Sequence, residues 1–335
     1  MSAPAVEIAG APSIPGLRFR RFIDERDHAH LLEITNQCWD EDGVGHRQDM
    51  SGIANAYLPT AGFDARQDVL FAEVDGRPVA FSRVKHARQA DGIRLYDLAG
   101  QVLPEWRRCG IGATLFRYAE ARQRAVAQTH PEDGPKLLES SVSERQLGAR
   151  ALLEAHGFSQ TPALQDQDMV RPTLDDLPLA PMPEGLQVRP ARPEHMRQIW
   201  ELYRVADLDG PGSLETDEDD YERWASWSFW DLNLWQIAWD GEQPVGMVLN
   251  FIRPDENEHF GRLRGYTEWI NVARLWRRRG VARALIVRSF GVLQERGMHE
   301  AALGVYVNNP TGARQLYESL GYRAVRSMFC YRRPL

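Results

Sequence analysis

Residues 272–282 read Val272-Ala273-Arg274-Leu275-Trp276-Arg277-Arg278-Arg279-Gly280-Val281-Ala282, and residues 102–112 read Val102-Leu103-Pro104-Glu105-Trp106-Arg107-Arg108-Cys109-Gly110-Ile111-Gly112. Both run Val, four residues, then Arg-x-x-Gly-x-Gly/Ala, between an apolar segment and an amphipathic helix. Such a small-residue turn presents backbone N–H groups at the positive end of a helix, where a pyrophosphate can sit. Its double occurrence marks a duplicated phosphate-binding domain.

Outward from these turns, further landmarks repeat. Gly16-Leu17-Arg18-Phe19-Arg20 and Gly185-Leu186-Gln187-Val188-Arg189 each read as a short strand leading to an amphipathic helix, 29–37 and 195–205. Gly148-Ala149-Arg150-Ala151-Leu152-Leu153-Glu154-Ala155-His156-Gly157-Phe158 matches Gly312-Ala313-Arg314-Gln315-Leu316-Tyr317-Glu318-Ser319-Leu320-Gly321-Tyr322, a helix closed by glycine and then an aromatic. Three landmarks thus recur in one order about 165 to 170 residues apart, a domain-sized duplication rather than a solenoid. Between the halves lies a proline-rich linker, 173–184, and residues 1–15 read as a loose tail. The expected domains are 16–172 and 185–335.

Each half predicts a hairpin with Asp-Gly at its turn, 69–84 around Asp75-Gly76 and 234–251 around Asp240-Gly241. A long strand follows (95–102 or 265–272), then the turn, a helix (113–127 or 283–297), a strand, a helix and a last strand. Antiparallel strands first and βαβ later predict an α/β fold: two tandem domains, each a mixed, mostly antiparallel twisted sheet flanked by helices.

The 335 residues, 43% hydrophobic and 26% charged, are those of a globular protein with room for two cores. A net charge of -7 argues against broad nucleic-acid binding. No stretch is apolar enough to span a bilayer, and the start lacks a secretory signal. Cys38, Cys109 and Cys330 are odd in number and lack metal spacing, so a reduced, cytoplasmic protein without a metal is expected.

This order of elements, with Arg-x-x-Gly-x-Gly/Ala between central strand and helix, resembles the GNAT superfamily of N-acetyltransferases over nearly the whole chain. The tandem arrangement is similar to that of the mycothiol synthases. The resemblance is most specific in the second half, where Arg277-x-x-Gly280-x-Ala282 is followed by Asn309-Pro310-Thr311-Gly312-Ala313, Leu316-Tyr317-Glu318 and Leu320-Gly321-Tyr322. It implies acetyl-CoA as donor. Gly280, Val281 and Ala282 would bring small residues and N–H groups to the pyrophosphate, and Arg277, Arg278, Arg279 and Arg283 would add charge. Ile270, Asn271 and Val272 would lie beside the thioester, with the Val272 N–H polarising its carbonyl, and Asn309 would complete the site. Tyr317 matches the family's thiolate-protonating tyrosine. Glu268, the only carboxylate of the central strand and of the same side-chain parity as Val272, is the candidate base; many relatives carry theirs two residues earlier, where this chain has Tyr266. The strand is usually bulged in this family, which softens the parity argument.

The halves are unequal. The first keeps its turn, Val102, Arg107, Arg108, Cys109, Gly110, Ile111 and Gly112, and so its candidate acetyl-CoA contacts. Yet Leu153 stands opposite Tyr317, Glu144-Arg145-Gln146 opposite Asn308-Asn309-Pro310, and Leu98 opposite Glu268. The second half is therefore expected to be catalytic. The implied function is acetyl transfer to a primary amine of a small molecule by direct attack in a ternary complex. Protein or peptide N-acetylation and a non-catalytic acyl-CoA-binding module stay open.

Blander readings compete. The arginine run could be a solvated helix start, and Tyr317 a core aromatic. Trp224, Trp227, Trp230, Trp235 and Trp239 crowd the region expected to wall the acceptor site, but tryptophan more often serves the core. Asp217-Glu218-Asp219-Asp220 reads as a capped helix start. His156 and His195 read as structural, and no P-loop, complete dinucleotide fingerprint or Gly-x-Ser-x-Gly elbow is present.

Overall fold

A computed structural model describes residues 4–335. The chain divides into two compact units, residues up to Thr161 with Phe329–Leu335, and Pro162–Met328.

The first unit runs β1 (Leu17–Arg21), α1 (Asp27–Glu41), α2 (Met50–Ala56), α3 (Ala65–Asp68), β2 (Val69–Val74), β3 (Arg77–Arg88), β4 (Arg94–Val102), α4 (Ile111–Thr129), β5 (Lys136–Ser143), α5 (Leu147–Ala155) and β6 (Ser159–Gln160). Strands β1 to β4 pair antiparallel in chain order, and β5 joins β4 in parallel. Asp75 (φ 49°) and Gly76 (φ 81°) both take positive φ in the β2–β3 turn, as a primed hairpin turn requires. Leu31, Ile34, Phe71, Leu103 and Ile111 are buried in one apolar cluster of this unit.

The second unit runs β7 (Asp166–Arg171), β8 (Gln187–Arg189), α6 (Met196–Asp207), α7 (Glu218–Ala225), β9 (Gln236–Asp240), β10 (Gln243–Ile252), α8 (Pro254–Phe260), β11 (Arg264–Val272), α9 (Val281–Glu295), β12 (Glu300–Tyr306), α10 (Ala313–Ser319) and the start of β13 (Arg323–Pro334). Its strand order is β8-β9-β10-β11-β12-β7-β13. Helix α9 packs Val281, Leu285, Ile286 and Phe290 against one face of the sheet. On the other, Ile199 and Trp200 of α6 and Trp224 of α7 meet Met247 and Leu249. The acidic run opens α7 as read, with Asp217 as cap accepting from the Asp220 N–H.

Three expectations change. The stretch 166–171, assigned from the sequence to the first domain, is strand β7 of the second unit. It pairs antiparallel with β12 and β13 and buries Met169 and Val170 there. Conversely, Phe329–Leu335 belong to the first unit, where Tyr331 and Arg332 pair with β6. The tail is not loose from Ala5 on. Ala5 bridges to Arg20, the Val6 N–H donates to the Phe19 carbonyl at 2.7 Å, and Val6, Ile8 and Ile14 pack on the apolar cluster.

Candidate active site

The two turns share one backbone. Arg108 (φ 65°) and Gly110 (φ 87°) are matched by Arg278 (φ 61°) and Gly280 (φ 91°), so the left-handed conformation recurs at both positions. Glycine at the second of these avoids the cost a side chain would meet there. In each turn the leading arginine folds back. The Arg277 Nε donates to the Val272 carbonyl at 2.9 Å, and the Arg107 Nε to the Val102 carbonyl at 3.0 Å. Each also takes a carboxylate from beyond the first helix of its unit. Arg107 pairs with Asp42 at 2.7 Å, and Arg277 with Asp209 at 2.7 Å. Asp209 further accepts from Arg274 Nε at 2.9 Å, and these arginines hold its carboxyl down at about 2.

Sequence reading missed this pair of acids, though comparing the repeats would have found a carboxylate closely following each first helix. Arg277 thus holds the turn in shape. Of the other arginines, Arg279 lies over the Trp276 ring, Arg283 donates to Ser319 Oγ at 2.6 Å, and the Arg278 guanidinium reaches within 4 Å of where a Cβ on Gly312 would be.

The turns differ in what covers them. A Cβ on Gly280 would meet nothing within 4 Å, whereas one on Gly110 would lie 3.3 Å from Pro12 Cβ. The tail is held there by Arg117, whose guanidinium donates to the Gly10 carbonyl at 3.1 Å. Val281 and Ile111 are buried beneath the turns, Ala282 is half-buried, a Cβ on Gly112 would lie 3.5 Å from Val102, and Cys109 is exposed.

The central strands differ more. In the first unit β3 and β4 stay in register from Arg88–Arg94 to Ala80–Val102. In the second, Leu249 faces Glu268 but Met247 faces Asn271, so β11 carries an extra residue. That bulge holds Trp269 at φ 54°, a conformation costly for a bulky side chain. The bulge overturns the parity argument: Glu268 shares its face with Asn271, through Leu249 and Met247, while Val272, opposite Gly246, points to the α9 side with Ile270. In the first unit Asp97 pairs with Arg83 at 2.8 Å.

Parallel pairing of β11 with β12 covers Arg264–Glu300 to Tyr266–Ala302 and stops. Past that point the strands part, and Glu268 reaches across: its Oε1 accepts from the Gly304 N–H at 2.9 Å. The Ala273 N–H donates to the Val245 carbonyl on β10 at 2.8 Å. Because N–H direction alternates along a strand, the Val272 N–H points to the opposite, parted edge. Tyr317 is buried on α10, and burial with the nearby Glu268 charge raises its phenol well above the ordinary range. It therefore stays protonated at neutral pH. Leu153, its counterpart, is plain core. Tyr266, where many relatives carry their acid, hydrogen-bonds the buried Glu256 carboxylate, which also pairs with Arg262 at 2.5 Å. Asn309 Oδ1 caps its own turn, accepting from the Thr311 N–H at 2.9 Å.

Trp224, Trp235 and Trp239 are buried core. Trp227 and Trp230 are half-buried and meet the Trp269 ring edge-on, at 5.3 and 5.6 Å, while Tyr203 approaches it at 4.7 Å. Among the described residues no group of His, Cys, Asp or Glu is arranged to hold a metal, and no helix is long and apolar enough to cross a membrane.

Comparison with known proteins agrees with this architecture. The Acetyltransferase (GNAT) family model matches residues 196–322, and an Acetyltransferase (GNAT) domain model matches residues 65–160. A mycothiol acetyltransferase of Geodermatophilus obscurus is 24% identical over 305 residues, covering 90% of this chain and 92% of that protein. A GCN5-related N-acetyltransferase from Sphaerobacter thermophilus superposes with a TM-score of 0.70 at 24% identity, covering 97% and 96% of the two chains. A tandem GNAT protein from the clavulanic acid biosynthesis pathway superposes with a TM-score of 0.65 at 15% identity, covering 95% and 98%. The chain belongs to the GNAT acetyltransferases, with two GNAT domains in tandem.

Proposed function

We propose that the second unit transfers the acetyl group of acetyl-CoA to a primary amine of a small molecule, by direct attack in a ternary complex. The observation that carries this is the parted, bulged β11, with Glu268 reaching across the gap and Tyr317 buried beside it. The first unit has an unbroken β3–β4 ladder and Leu153 instead. A small-molecule acceptor is supported by the whole-length likeness to a mycothiol acetyltransferase.

The open Gly280 turn suits a pyrophosphate, with room on its outer side and helix α9 behind it. Acetyl-CoA, when bound, supplies the activated acetyl group. Glu268 then takes the proton an ammonium must lose before attack, directly or through water. The Val272 N–H at the parted edge stabilises the negative charge that grows on the acetyl oxygen. Tyr317 returns a proton to the departing sulfur.

The test is thiol release from acetyl-CoA with a panel of small amines and peptides. Turnover of small amines is expected, with Tyr317→Phe lowering kcat about 100-fold or more while acetyl-CoA affinity holds. Turnover of peptides alone would favour protein N-acetylation. Acetyl-CoA binding without thiol release from any acceptor would favour a binding module.

A further inference from the structure

Gly304 is where two carboxylates meet. A Cβ placed on it would lie 3.6 Å from Asp166 Oδ2 and 3.9 Å from Glu268 Oε1. The Gly304 N–H goes to Glu268. The register explains the meeting: β7 sets Asp168 opposite Gly304 and Asp166 opposite Tyr306, so both aspartates share the Gly304 face. Asp168 is paired with Arg326 at 2.7 Å. Asp166 instead accepts the Gln167 N–H at 2.9 Å, and burial, with Asp168 beside it, pushes its carboxyl up.

We propose that Asp166 is a positioning residue for the base: it forms with Glu268 a coupled carboxylate pair across Gly304 and raises the proton affinity of Glu268. This rests on the reading of Glu268 as base. The Gly304 N–H alone favours the ionised form and makes Glu268 a poorer base. A second carboxylate in the same desolvated gap opposes that, because two like charges so placed resist ionising together. The pair then accepts a proton more readily than Glu268 would by itself. Other groups bear on it: Asp168 on β7, Arg326 on β13, Tyr317 on α10, and Tyr322, which feels both Glu268 and Arg171.

The experiment is a carboxyl-carbon NMR titration of the full chain labelled at its aspartate and glutamate side chains, with Glu268→Gln assigning the Glu268 signal. Glu268 is expected to titrate about one pH unit lower in Asp166→Asn than in the parent, and its two-step curve to become single. Asn keeps an acceptor for the Gln167 N–H; Asp166→Ser serves if Asn does not fold. An unchanged Glu268 titration in a folded variant overturns the pair. The titration needs no turnover, so coupling without acetylation of any amine would sink the functional reading and leave the pair standing. With an acceptor in hand, the acidic limb of the kcat/KM profile is expected to move down by the same amount in Asp166→Asn, with Asp166→Glu restoring it. A uniform loss at all pH would show a merely structural role.

Discussion

The guanidinium of Arg277 lies 2.7 Å from the carboxylate of Asp209 and also donates to the Val272 carbonyl, so the residue that leads the signature turn is spent on shaping it. The same geometry at Arg107, Asp42 and Val102 shows that this latch is a property of the fold, independent of which unit is active.

From the latch follows a pH dependence. The Asp209 carboxyl is lowered to about 2, so its contribution is fully present above the ordinary carboxylate range near pH 4. It is lost only as pH falls from there towards 2. Acetyl-CoA affinity, measured calorimetrically, is expected to be flat between pH 5 and 8 as far as this pair is concerned. Asp209→Asn should weaken it about fivefold across that whole window, the equivalent of about 1 kcal/mol. A loss appearing only above pH 6 would contradict the assignment.

Stoichiometry distinguishes the turns. With Pro12 packed at the Gly110 turn and the Gly280 turn open, one acetyl-CoA per chain is expected. Gly280→Glu should abolish binding, through its side-chain charge and its strained φ, while Gly110→Glu should leave the dissociation constant within about twofold. Two equivalents in the parent, or one retained in Gly280→Glu, would assign a working site to the first unit.

Trp269 tests the bulge. At φ 54° its backbone favours glycine, although its ring packs against Tyr203, Trp227 and Trp230. Trp269→Gly is expected to lower the unfolding free energy by loss of those contacts. Trp269→Val, which keeps more apolar surface but is β-branched, should be worse by about 1 kcal/mol or more. Denaturant titration of both variants decides it, and the reverse order would show that the conformation is not held in solution.

A buried ion network holds the first unit. Arg20 Nε lies 2.6 Å from Glu73, and its two terminal nitrogens donate to Asp27 at 2.8 and 2.9 Å. Arg20→Ala would leave two largely buried carboxylates without their cation, at a cost of about 3–5 kcal/mol. A smaller loss, under about 1 kcal/mol by chemical denaturation, would mean that the network is open to solvent.

Local signals in the chain already determined two α/β units of one kind. The Asp-Gly hairpins, the helix-opening glycines and the closing glycine-aromatic pairs act over a few residues, so they are legible in order along the sequence. Tyr317 and Glu268 could be picked out in the same way, by comparing the halves. What decides which way Glu268 faces lies elsewhere. The extra residue at Trp269 turns Glu268 to the face away from Val272, and a bulge depends on how β11 packs against β10, which spacing alone does not encode. Asp166 and Asp209 reach the site from distant parts of the chain, and Pro12 reaches Gly110 because the tail packs back onto its own unit. Period and turn chemistry act between neighbours and name the elements; register and long-range packing, which only the folded chain possesses, place the charges.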